Sequence, residues 1–99
     1  MTALSEEQKR HLRRLGHGLK PVVLMGAAGL TEGVCNEIDL ALTHHELIKV
    51  KLVSDDRKQR RQLAADIAAR FGAALIQQIG NIALLYRPNP KKKKRIVLP

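Results

Sequence analysis

Apolar residues recur along this 99-residue chain with two periods, one helical and one extended. Leu12, Leu15 and Leu19 stand at helical spacing with Arg10, Arg13, Arg14 and His17 on the other side, which predicts a helix with an inward leucine stripe and a solvated basic face. Ser5 and Gln8 stand at capping-box spacing and set its start, and Gly16 and Gly18 set its end. Pro21-Val22-Val23-Leu24-Met25 lacks alternation and reads as a strand buried on both faces, with proline at the first position, where a missing N–H is tolerated. Thr31 then caps a second helix, whose inward stripe is Val34, Ile38, Ala41, Leu42 and His45. From Leu47 to Val53 the pattern alternates, with Ile48, Val50 and Leu52 on one face and Lys49 and Lys51 on the other.

Ser54-Asp55-Asp56 supplies caps for a third helix carrying Leu63, Ala64, Ile67, Ala68 and Phe71 on its core side, closed by Gly72. Two further strands joined through Gly80-Asn81 read as an antiparallel hairpin. The predicted fold is therefore α/β, a compact αβαβαββ sandwich with a mixed four-stranded sheet. Residues 1–90 form one domain, and residues 91–99 a basic C-terminal tail in which Ile96-Val97-Leu98 is apolar enough to dock on a sheet edge.

Between the first strand and second helix lies Gly26-Ala27-Ala28-Gly29. Two glycines around small residues let a ligand come close to the backbone, and the helix N-terminus behind them suits an anion such as phosphate. A tight turn explains a G-x-x-G tetrapeptide equally well, so the surroundings decide. The 18 Lys and Arg outnumber the 9 Asp and Glu, for a formal charge of +9, which points to a polyanionic partner. Five of those cations, Lys91, Lys92, Lys93, Lys94 and Arg95, lie in the tail; the other 13 cluster. Arg57, Lys58, Arg60 and Arg61 crowd the start of the third helix, where positive charge opposes the helix dipole. Lys20, Lys49 and Lys51 complete a basic ring expected around the glycine loop.

Other chemistries are poorly represented. Cys35 is the single cysteine, which excludes an intrachain disulfide, and it reads as packing in a hydrophobic staple with Leu30. His44-His45 reads as a helix end, so no metal is expected. No cofactor is expected either: the loop lacks the Lys-Ser/Thr of a P-loop, and G-x-G-x-x-G is absent. With Phe71 and Tyr86 the only aromatics, a base-stacking platform is excluded and contacts to backbone and shape are expected. No secretory pattern precedes Ser5 and no apolar run approaches the roughly 18 residues of a membrane span, so a soluble, cytoplasmic protein without a membrane partner is expected.

Leu19-Lys20-Pro21-Val22-Val23, the loop Gly26 to Thr31, His45-Glu46-Leu47-Ile48-Lys49-Val50-Lys51 and Tyr86-Arg87 together resemble the CRM domain, named for chloroplast RNA splicing and ribosome maturation, in its free-standing bacterial YhbY-like form. The resemblance implies a fold similar to the C-terminal domain of bacterial translation initiation factor three. It also implies a non-catalytic, monomeric RNA-binding protein that takes ribosomal RNA in large-subunit precursors as an assembly factor, with no small-molecule substrate. It places RNA at Gly26, Ala27, Ala28 and Gly29, supported by the basic ring. Auxiliary contacts are expected from Arg10, Arg13, Arg14 and the tail cations. Many loops of this family carry a basic or polar residue between the glycines; Ala27 and Ala28 offer only backbone, so the clamp should hold phosphate and sugar. Two other readings stand beside this one: a protein-interaction or general nucleic-acid-binding module working through the tail, and a nucleic-acid-processing enzyme.

Overall fold

The computed structural model describes residues 3–99. Its elements follow the predicted order: α1 (Glu6–Gly16), β1 (Pro21–Met25), α2 (Glu32–His45), β2 (Leu47–Leu52), α3 (Arg57–Arg70), β3 (Ala74–Ile79) and β4 (Ile82–Tyr86). Local chemistry sets the boundaries. The Ser5 hydroxyl accepts from the Gln8 amide while the Gln8 side chain accepts from the Ser5 amide, a complete capping box. Thr31 caps α2 through the Val34 amide, and Asp56 caps α3 through the amides of Lys58 and Gln59. Helix α3 ends in a Schellman motif, in which Gly72, at φ +61°, donates to the Ala69 carbonyl and Ala73 to that of Ala68. Gly80 takes φ +57° at the first central position of the β3–β4 turn, the signature of a type II′ hairpin.

The sheet order is β1-β2-β4-β3. β1 and β2 are parallel, while β4 runs antiparallel to both β2 and β3. The three strands that precede loops therefore share one direction, and the last strand in the chain occupies a central place. Helices α2 and α3 cover one face over a core of Ile38, Leu42, Ile48, Val50, Leu52, Ile67 and Leu85. Helix α1 lies on the other face, where Leu12 packs with Leu47, Ile76, Leu84 and Tyr86. Gly16 allows that approach: a Cβ there would lie 2.7 Å from Leu84 Cδ2.

Three packing expectations are corrected. β1 is an edge strand buried on one face only, because α1 packs over β2, β3 and β4; Val22 and Leu24 are 51% and 59% exposed. Of the α1 leucine stripe only Leu12 is buried, while Leu15 and Leu19 line an open apolar groove of about 460 Å³ with Val22, His45 and Ile96. His45 is exposed, because α2 has already turned away from the core there.

The core contains one acid the sequence does not single out. Glu46 is 1% exposed and joins α2 directly to β2 at φ +63°, a left-handed conformation costly for a residue with a side chain. Its carboxylate accepts from the amides of Asn89 and Ile96, both at 2.9 Å, and its carbonyl accepts from the Arg87 amide. Residues 91–99 therefore turn back on the fold, with Ile96 and Leu98 packed against the α1 cluster rather than on a sheet edge and Gln8 donating to the Pro99 carbonyl. Arg87 closes the same end, donating to Asp39, Thr43 and the Phe71 carbonyl.

Candidate nucleic-acid interface

Parallel β1, β2 and β3 deliver three connections to one end of the sheet: the glycine loop after β1, residues 53–56 after β2 and the Gly80-Asn81 turn after β3. Backbone bonds tie these connections together, Val53 donating to the Met25 carbonyl and Leu52 to that of Asn81. In the glycine loop the Gly29 amide donates to the Gly26 carbonyl, closing a turn around Ala27 and Ala28, and Thr31 donates to Gly29. Gly29 sits at φ +75°, which accounts for a glycine there.

Gly26 is different. Its φ lies outside the left-handed region and an added Cβ would meet nothing within 4 Å, so neither backbone conformation nor intramolecular packing requires glycine. What its missing side chain leaves is open space against the backbone. Among the described residues the amides of Ala27, Ala28 and Leu30 have no intramolecular acceptor. The loop thus presents donors without side chains, suited to phosphate or sugar oxygens.

The predicted basic residues divide into three groups. Arg57, Arg60 and Arg61 gather with Gln78 and Gly80 around a polar concavity of about 210 Å³. It opens beside β3, so with three inter-strand spacings between the edges it lies about 14 Å across the sheet end from the glycine loop. The arrangement is a belt rather than a ring. Arg60 spends one guanidinium nitrogen on the Ser54 carbonyl at 2.7 Å and its Nε is buried without a partner, so it braces the connection as well as adding charge. Lys58 is exposed on the first turn of α3. Lys51 is exposed and in register with Leu24, one residue from the end of β1, on the sheet face that carries α1.

The second group lies on that α1 face. Arg10, Arg13 and Arg14 line a concavity with His17 and Gln77, and half-buried Lys49 lines a neighbouring one that shares His17 and Gln77. The third group is at the far end of the sheet. Lys20 precedes β1, roughly 20 Å of strand from Gly26, and Lys91, Lys92, Lys93, Lys94 and Arg95 lie between the two amides that Glu46 holds. There, loss of solvent and the neighbouring Glu46 carboxylate push the Tyr86 phenol above its ordinary range, opposed by Arg95.

Among the described residues the ion pairs are Lys9 with Glu6 and Arg87 with Asp39, so none of the site cations is neutralised within the chain. Gln77, Gln78 and Gly80 are lining residues that the sequence pattern did not mark, whereas His17 falls on the basic face expected of α1. The signal was present in two adjacent glutamines within an otherwise apolar strand.

Comparison with known proteins agrees with this architecture. The solution structure of a hypothetical protein from Staphylococcus aureus superposes with a TM-score of 0.83 at 34% identity, covering 98% of this chain and 100% of the other. A protein of Haemophilus influenzae named "RNA-binding protein" is 50% identical over 93 residues, 94% of each chain. One of Pseudomonas aeruginosa named "Probable RNA-binding protein" is 48% identical over 94 residues, 95% of this chain and 90% of its own length. The model of the CRS1 / YhbY (CRM) domain matches residues 4–87, and the chain belongs to that family.

Proposed function

We propose that this protein is a non-catalytic RNA-binding module that holds an RNA backbone across the end of its sheet, from the glycine loop to the Arg57–Arg61 concavity. The observation that carries this reading is Gly26, a glycine the fold does not need, beside unpaired amides and at the same sheet end as unneutralised arginines. The names of its relatives support RNA as the polyanion. In the same reading the protein works in the cytoplasm as a monomeric assembly factor, and its RNA is ribosomal, in precursors of the large subunit. The loop supplies close approach through its amides, and Arg57, Lys58 and Arg61 supply charge. Lacking a side-chain reader between the glycines, it selects RNA by shape and local geometry.

The test is binding to large-subunit ribosomal RNA fragments across salt, with sedimentation of the protein alongside precursor and mature subunits. Contacts to about four phosphates give a slope of log affinity against log salt near −3. A flat dependence overturns the backbone clamp. Cosedimentation with mature subunits alone overturns the assembly role.

A further inference from the structure

We infer that the concavity of Arg10, Arg13, Arg14, His17 and Gln77 is a second RNA-backbone site, so that one chain holds two RNA segments at once. The inference rests on RNA being the ligand of the glycine-loop end but concerns a different surface. α1 lies on the sheet face opposite α2 and α3. With layers packing about 10 Å apart, the α1 arginines and those of α3 are separated by the thickness of the molecule, and the sheet stands between them.

Charge identifies the occupant. A solvated helix face ordinarily mixes signs, whereas Arg10 meets Arg13 at i, i+3 and Arg14 at i, i+4, like-charge contacts that disfavour the helix. Glu6 is engaged by Lys9, and Glu7 makes no ion pair. At a rise of about 1.5 Å per residue, Arg13 and Arg14 lie about 4.5 and 6 Å along α1 from Arg10. A row of guanidiniums binds successive phosphates bidentately, and Gln77 adds an amide that both donates and accepts at a ribose hydroxyl. Lys49 continues the row across the sheet beyond His17. An acidic protein would need matched side-chain positions; a phosphate backbone needs only spaced charge.

The experiment titrates the full chain with an excess of a three-nucleotide RNA. It adds an energy-transfer assay in which donor- and acceptor-labelled copies of that RNA report simultaneous occupancy. Wild type is expected to take two RNAs and to give energy transfer. The variant R10Q/R13Q/R14Q, with helix content checked by circular dichroism, should take one, lose the transfer and keep the remaining affinity within about twofold. The salt slope summed over both sites should fall by about two to three relative to wild type, with that of the remaining site unchanged. G26D should remove the other site and spare this one. A wild-type stoichiometry of one, with R10Q/R13Q/R14Q superposable on it, overturns the second site and leaves the first intact. Absence of any RNA binding by wild type overturns both.

Discussion

Replacing Gly26 by alanine separates folding from binding at one position. The folded state has room for the methyl group, because an added Cβ meets nothing within 4 Å and the backbone is not in the left-handed region. Alanine also narrows the unfolded ensemble, so stability should stay level or rise by up to about 1 kcal/mol. RNA binding should weaken, because the methyl group occupies the ground an RNA backbone must enter. Loss of one amide-to-phosphate hydrogen bond, about 1.5–3 kcal/mol to a charged acceptor, corresponds to roughly a ten- to hundredfold weaker Kd. Gly29→Ala is the control: at φ +75° its side chain costs about 1–2 kcal/mol of stability, so binding and folding should fall together. Urea denaturation and fluorescence anisotropy with ribosomal RNA fragments measure the two quantities. Wild-type affinity in Gly26→Ala would refute the close-approach reasoning, and a loss of more than about 1 kcal/mol would show that the glycine serves the fold.

Three further outcomes are expected at the opposite end and beneath α1. Glu46→Ala leaves two half-buried amides without their carboxylate and should cost about 2–4 kcal/mol, measured by urea denaturation, with faster hydrogen exchange at Asn89 and Ile96. Gly16→Ala forces a methyl group onto Leu84, itself 2% exposed; overpacking of about 1–3 kcal/mol exceeds the helix-propensity gain and should lower Tm, whereas an unchanged Tm would show that Leu84 yields freely. The Tyr86 phenol titrates above its unfolded value, so its contribution is complete below about pH 10 and is lost as pH rises through the folded pKa. Tyr86→Phe should therefore flatten the alkaline fall in stability relative to wild type, and an identical fall would remove Tyr86 as its source.

Much of the fold was legible because its signals are local. Ser5 with Gln8, Asp56 and Gly72 each mark a boundary through bonds made within a few residues, and Ile48, Val50 and Leu52 alternate because one face of β2 is buried. Long-range coverage was not legible. Val22 and Leu24 look like core, yet α1 packs mainly over β2, β3 and β4, and Leu15 lines an open groove with Val22 and Ile96. Glu46 looks like a surface acid, and its burial depends on amides 43 and 50 residues later. At the site, the glycine loop could be read from residue types, but the division of its basic neighbours among two faces and two ends depends on strand order. The insertion of β4 between β2 and β3 moves Arg57, Arg60 and Arg61 toward the hairpin.

That strand order also constrains biosynthesis. β4 is made after β1, β2 and β3, yet among the described residues it alone bridges the β1–β2 pair and β3. A nascent chain that has reached Gly80 holds every residue of the glycine loop and the α3 arginines but lacks the hydrogen-bond ladder that gathers them at one end. The sheet end that carries the glycine loop is thus gathered only once β4 has been made, after every element it organises.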